Sequence, residues 1–223
     1  MACSSGGDDA RVEHHTTEPH QRSCDISQEV FLRSPLRAIA VFCGSNQGGD
    51  PAFAAAAADL GTALATRGIT LIYGGTHKGL MGILADAVLA AGGTAHGVIT
   101  ARLHGRGHLH DGLTMHEIVE GMRARKERML SLSDACIALP GGLGTVEEFM
   151  EAWTLNQLGD IDKPVGLFNV LGYYEPLMAF VDSMIAHAFL PAAHRASVVV
   201  EADAGALIDG LALQPPITVP KWL

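Results

Sequence analysis

Apolar residues in this chain come in short runs separated by amphipathic stretches, and the two alternate regularly. Leu36 to Phe42, Ile69 to Tyr73, Thr94 to Thr100, Asp134 to Leu139, Lys163 to Val170 and Ala196 to Val200 read as buried strands bounded by turn residues. Helices fall between them. The first is opened by Asp50-Pro51, a cap followed by proline in the first turn. Others are predicted over Ile83 to Ala91, within Glu117 to Leu132, and over Val146 to Gln157, Tyr173 to Phe189 and Asp203 to Leu213. Ala101 to His116 is the longest irregular stretch. The rhythm predicts an α/β fold: a doubly wound, mainly parallel sheet with helices on both faces, in a single domain over 35–213. Residues 1–34 lack apolar periodicity and read as a flexible tail, with 214–223 a C-terminal tail.

Three of the strand ends run into glycine turns, and in such a sheet the ligand crevice lies at the strands' carboxyl ends. The first turn is Cys43-Gly44-Ser45-Asn46-Gln47-Gly48-Gly49, which lacks the spacing of a dinucleotide fingerprint. In the second, Gly74-Gly75-Thr76-His77-Lys78-Gly79, Lys78 reads either as a phosphate ligand or as a solvated side chain. The third, Pro140-Gly141-Gly142-Leu143-Gly144-Thr145-Val146-Glu147-Glu148, places a glycine turn, a hydroxyl and two carboxylates together at a strand-to-helix junction. Helix-start N–H groups are unpaired, the helix dipole adds partial positive charge, and glycines let an anion approach the main chain. The motif is a phosphate cradle with carboxylates beside it.

Composition narrows the ligand. A net charge of -9 disfavours extended contact with a phosphate backbone, so no nucleic acid partner is expected, while a small anion bound locally fits. The mean hydropathy of +0.22 with 48% hydrophobic residues argues for a packed core. No apolar run is long enough to span a bilayer and the N-terminus lacks the order of a secretory signal, so no membrane association and a cytoplasmic location are expected. Cys3, Cys24, Cys43 and Cys136 have no paired metal spacing and read as free thiols.

Two histidine groups invite a metal reading: His14, His15 and His20 in the tail, and His104, His108, His110 and His116 in the irregular stretch. Neither has the spacing of a ligand set, so a solvated tail and a mobile loop near a ligand are expected, with no metal. Arg123, Arg125, Lys126 and Arg128 form a basic cluster on a predicted helix, either a solvated face paired with Glu120 and Glu127 or a set reaching the third glycine turn. Met122 and Met129, seven apart, are expected to face the core.

Pro140-Gly141-Gly142-x-Gly144-Thr145-x-x-Glu148, together with Arg125-Lys126, resembles the Lonely Guy family of cytokinin-activating phosphoribohydrolases, long labelled lysine decarboxylases. Tyr73-Gly74-Gly75, Gly79-Leu80-Met81-Gly82, Trp153, Gln157-Leu158-Gly159, Lys163-Pro164-Val165-Gly166 and Gly172-Tyr173-Tyr174 agree, so the resemblance covers roughly 36–213. One departure is that Arg123 stands where the family usually has histidine.

The resemblance implies a Rossmann-like fold, no cofactor, a nucleoside monophosphate substrate and a homodimer. It implies hydrolysis of the N-glycosidic bond of N6-substituted adenosine 5′-monophosphates, and of AMP too. Arg125 and Glu148 are then the catalytic candidates. Gly141, Gly142, Gly144 and Thr145 would hold the phosphate, and Lys126, Ser45, Gly75, Met122 and Glu147 complete the expected substrate-binding set. Glu148 would stabilise positive charge on the ribose, hold a ribose hydroxyl or orient water. The alternatives are a general purine nucleotide nucleosidase, or a carrier of a nucleotide or of the molybdenum cofactor that binds without turnover.

Overall fold

Short runs bounded by turn residues, mostly apolar or β-branched, form seven parallel strands in one sheet. The computed structural model describes residues 34–216. Apart from Ser34, the tail expected over 1–34, with His14, His15, His20, Cys3 and Cys24, and most of the C-terminal tail lie outside the described residues.

In chain order the elements are β1 (Ala38–Phe42), α1 (Pro51–Thr66), β2 (Thr70–Tyr73), α2 (Gly79–Ala90), β3 (Ala95–Thr100), α3 (Ala101–His104), β4 (Met115–Val119) and α4 (Met122–Leu132). They continue with β5 (Ala135–Ala138), α5 (Leu143–Leu158), β6 (Val165–Phe168), α6 (Glu175–Ala186), β7 (Val198–Glu201) and α7 (Ala204–Leu213). The sheet order is β4-β3-β2-β1-β5-β6-β7. The chain therefore winds outward from β1 to β4 and then returns to place β5 on the other side of β1. That reversal opens a crevice at the carboxyl ends of β1 and β5.

Side chains alternate across each strand, so the sheet has two cores. Ile39 and Val41 of β1 pack with Leu60 and Leu64 of α1, Leu84 of α2 and Leu207 of α7. Ala40 and Phe42, on the opposite face, pack with Met129 of α4, Phe149 and Trp153 of α5 and Val181 of α6. Full burial of a leucine such as Leu60 contributes about 2 kcal/mol. Gly61 lets α1 and α2 meet backbone to backbone, since a Cβ there would lie 2.6 Å from the Leu84 carbonyl oxygen.

Three expectations are corrected. The seventh strand, β4, occupies residues read as loop and helix. It is an edge strand with Met115 and Ile118 exposed, so it lacks the apolar run that marks the buried strands. The stretch before it includes the short α3 and is pinned: His77 N–H donates to the His108 carbonyl at 3.2 Å, and His110 N–H to the Gly75 carbonyl at 2.9 Å. Met129 faces the core, but Met122, in the first turn of α4, is 43% exposed. In addition, α5 begins at Leu143, not Val146, so Gly144 and Thr145 lie inside its first turn. Glycine there reads as loop from propensity, yet the first turn tolerates it.

Candidate functional site

The three glycine turns converge on the carboxyl edge of the sheet. Cys43 to Ser45 after β1, Gly74 after β2 and Gly142 to Thr145 after β5 line one cleft of about 310 Å³, closed by residues of α4 and α5. Met81, Met122 and Leu143 add apolar wall, and Leu143 is 90% exposed at the mouth.

The polar floor is an ion pair. Arg125 reaches across the sheet end from α4. Its Nε donates to the Val98 carbonyl at 3.0 Å and its Nη1 to Glu148 Oε1 at 3.1 Å. Gly74 makes room for it, since a Cβ at that position would lie 1.9 Å from Nη2. Burial pushes the Glu148 carboxyl above the ordinary glutamate value of 4.5, with Arg125 pulling the other way. The Lys163 ammonium donates to the carbonyls of Leu130 and Ser133 and so anchors the end of the helix that carries Arg125.

The glycine motif is braced from below. Gly44 N–H donates to the Pro140 carbonyl at 3.1 Å, and the hydroxyls of Tyr173 and Tyr174 donate to the carbonyls of Gly141 and Leu139, each at 2.6 Å. Gly141 is required by packing, because a Cβ would fall 2.1 Å from Thr145 Oγ1. Gly142 and Gly144 differ: a Cβ at either would meet nothing within 4 Å, and Gly142 has a negative φ of -85°. Neither packing nor backbone demands glycine there. Gly142 also makes no side-chain cap on α5, so that helix presents its first N–H groups to the cleft mouth.

Of the residues singled out from the sequence, Arg125, Glu148, Gly142, Gly144, Thr145, Ser45 and Met122 line this cleft. Gly141 lines an adjoining cavity of about 310 Å³ with Phe53, Leu80 and Tyr173. Lys126 and Glu147 pair with each other beside the cleft, and Lys126 also meets Glu151 at 2.9 Å. Gly75 lies in a left-handed turn (φ +71°) against Gly97 and Ile99. Arg123 is solvent-exposed and paired with Glu127 at 2.9 Å, so it does not enter the site.

Sequence reading assigned no role to Gly74, Leu143, Tyr173 or Tyr174. The glycine and the tyrosine pair were visible as motif neighbours, but which carbonyl or guanidinium they serve is a property of the fold. The buried Cys43 thiol lies in the cleft wall, and burial, reinforced by Glu148, pushes its pKa far up, so it is no nucleophile. Among the described residues no three His, Cys, Asp or Glu side chains come together as a metal site. His108 stacks on His77 and His110 bonds Asp86 at 2.9 Å.

A doubly wound sheet with an exposed glycine turn at a helix start and a buried Arg–Glu pair beside it defines an α/β protein whose cleft lies at the switch point of its sheet. Comparison with known proteins agrees. Residues 81–211 match a family model described as "Possible lysine decarboxylase". The chain is 44% identical over 187 residues to a probable cytokinin riboside 5′-monophosphate phosphoribohydrolase of Oryza sativa subsp. japonica, covering 83% of this chain and 82% of that one. It is 42% identical over 187 residues to a cytokinin riboside 5′-monophosphate phosphoribohydrolase of Arabidopsis thaliana, covering 84% and 87%. A molybdenum cofactor carrier protein from Chlamydomonas reinhardtii shares the fold, with a TM-score of 0.61, 24% identity, and coverage of 78% of this chain and 94% of that one. The chain belongs to the cytokinin riboside 5′-monophosphate phosphoribohydrolase family.

Proposed function

We propose that this protein hydrolyses the N-glycosidic bond of N6-substituted adenosine (cytokinin) riboside 5′-monophosphates, and of AMP, releasing the free base and ribose 5-phosphate. The observation that carries this reading is the buried Glu148 carboxylate, held by Arg125 in the cleft that the exposed Gly142 and Gly144 open. The relatives' activity is consistent with it.

The 5′-phosphate sits on the first N–H groups of α5, with the Thr145 hydroxyl beside it, in the space that a Cβ at Gly142 or Gly144 would take. Fixing the phosphate places the ribose near Glu148. As the C1′–N9 bond breaks, its electron pair leaves with the base and positive charge builds on C1′ and the ring oxygen. Glu148 stabilises that charge in a site where burial strengthens the attraction. Water adds its oxygen to C1′, and the proton it gives up balances the one the base takes. Arg125 holds Glu148 in place and keeps a fixed positive charge at the floor. Lys126, paired with Glu147 and Glu151, adds positive potential and steadies α4 against α5.

A decarboxylase of the pyridoxal type needs a Schiff-base lysine, and no lysine lines this cleft. The residues do not fit that cofactor. A carrier without turnover has no use for a buried carboxylate beside the ribose.

The protein works as a homodimer in the cytoplasm on this reading. Phe189, 84% exposed, lines a groove formed with residues of α5 and α6, which suits burial against a second copy. Light scattering at twice the chain mass is the expected result. The decisive assay offers AMP and isopentenyl-adenosine monophosphate to the purified protein and measures ribose 5-phosphate. Release from neither nucleotide would refute the activity, and Glu148→Ala is expected to abolish it with the fold intact.

A further inference from the structure

Along α4 the buried residues are Arg125, Met129 and Leu130, and the two apolar ones lie in its later turns. The start of the helix has no such support, since Gly121 supplies no side-chain cap and Met122 is largely exposed. Apolar packing therefore does not fix the turn that carries Arg125. Lys163 fastens the far end of the helix. A second fastening lies one turn after Arg125, at Arg128.

Arg128 grips the edge strand β4. Its Nε donates to Glu117 Oε2 at 2.7 Å and its Nη2 to Glu117 Oε1 at 2.9 Å, a two-pronged pair, while Nη1 donates to Ser131 Oγ at 3.3 Å. From β3 the buried His96 sets its Nε2 3.1 Å from the same Glu117 Oε1. Arg128 holds the Glu117 carboxyl below the ordinary glutamate value of 4.5, so the pair is ionic at neutral pH. The strand register makes the grip specific. Glu117 pairs with Val98 across β3 and β4, and Val98 is the residue whose carbonyl accepts from Arg125 Nε. Positions three apart on a helix are surface neighbours, so the two arginines are seated side by side on one strand pair. The Arg123–Glu127 pair is different: its side chains are 91% and 64% exposed, and it joins one turn of α4 only to the next.

We infer that Glu117 and Arg128, backed by His96, are positioning residues for the reaction: they clamp the turn of α4 from which Arg125 reaches Glu148. The inference rests on the hydrolase reading of the cleft. Neither Glu117 nor Arg128 lines the cleft, so both act through Arg125. Magnitudes favour this role over stabilisation. A partly exposed ion pair adds little to stability because water competes for both partners, whereas a catalytic group displaced by about 1 Å loses up to about a hundredfold in rate.

The test compares Arg128→Met, Glu117→Ala and the double variant with the wild type, and uses Arg123→Ala as a control that removes an arginine of α4 outside the clamp. With AMP and isopentenyl-adenosine monophosphate, each clamp variant is expected to lose about tenfold in kcat with KM within about twofold, and the double variant no more than either single. Melting temperatures stay within about 3 °C of the wild type, and Arg123→Ala behaves as the wild type does. Loss of active protein would also lower kcat, so the pH profile decides. Glu148 is faced by Arg125 and Lys126 from α4, by Glu147 and Glu151 on its own helix and by Cys43 after β1. Both cations come from α4, so loosening that helix weakens the pull that keeps Glu148 ionised, and the acid limb of kcat/KM moves to higher pH in the clamp variants. A purely structural pair leaves the limb where it is. Wild-type kcat in both single variants, losses that multiply in the double variant, or an acid limb that does not move would overturn the inference. If the wild type releases ribose 5-phosphate from neither nucleotide, the hydrolase reading falls by itself. Titration of the Glu148 carboxyl by carbon-13 NMR, with Glu148→Gln assigning the signal, then tests the clamp alone: a midpoint raised in Arg128→Met sustains it, and an unchanged midpoint removes it.

Discussion

Arg125 Nη1 and Glu148 Oε1 meet at 3.1 Å with their side chains only 8% and 11% exposed, joining α4 to α5 under the glycine cradle. The two partners are not equivalent, because a buried carboxyl can escape its charge by taking a proton and a guanidinium cannot.

Removing one partner is therefore expected to give different pH dependence from removing the other. Glu148→Leu leaves a fixed buried charge, costs about 3 kcal/mol at about pH 8, and removes the stability that protonation of Glu148 adds at low pH, so its own stability does not fall as pH rises through the Glu148 value. Arg125→Met leaves Glu148 without its main attracting charge, so its pKa rises further, and the variant loses stability as pH rises through that value. Urea denaturation of both variants at about pH 5 and about pH 8 checks this. An identical pH dependence for the two substitutions would contradict it.

Activity and stability should respond to Glu148 in opposite directions. Its folded-state pKa lies above 4.5, so the folded protein binds the proton more tightly than the unfolded chain does. Stability gained by protonation is present at low pH and is lost as pH rises through the raised value. The ionised form does the work, so kcat/KM falls as pH drops through the same value. We expect the acid limb of the kcat/KM profile to lie above the ordinary glutamate range. A limb at or below 4.5 would place the essential ionisation elsewhere.

Two glycine substitutions are expected to separate geometry from binding. Gly74→Ala puts a methyl 1.9 Å from Arg125 Nη2, and Arg125 is tethered by two hydrogen bonds, so the pair is displaced. A loss of kcat of about a hundredfold or more is expected, as for a misplaced catalytic group. Gly142→Ala puts its methyl into open space, so stability changes by no more than about 0.5 kcal/mol. Its effect falls on KM, raised about tenfold where the phosphate is displaced. Steady-state kinetics with paired melting curves measure both. An unchanged KM in Gly142→Ala would remove the phosphate from this turn.

The strands that were legible were those with largely apolar runs of sequence, the five inner strands β1, β2, β3, β5 and β6 and the Val-rich edge strand β7. The edge strand β4 carries its contacts on one side only, and its Met-His-Glu-Ile-Val sequence has no such run. Boundaries moved where a rule about averages met a particular position, as when α5 took Gly144 and Thr145 into its first turn.

By itself the sequence determined the α/β alternation, the placing of glycine turns at three strand ends, and the local sequence of cradle, hydroxyl and carboxylate from Pro140 to Glu148. These are short-range properties, fixed by period, turn chemistry and neighbours along the chain. Only the tertiary structure decided that Arg125 crosses to Glu148 while Lys126 turns to Glu147 and Glu151, that Gly74 clears the path, and that the tyrosine hydroxyls brace the motif. It also decided that Arg128 reaches back to Glu117 and ties α4 to the edge strand. Adjacent residues on a helix point about 100° apart, so which of two neighbouring cations enters a cleft depends on how the helix packs on the sheet.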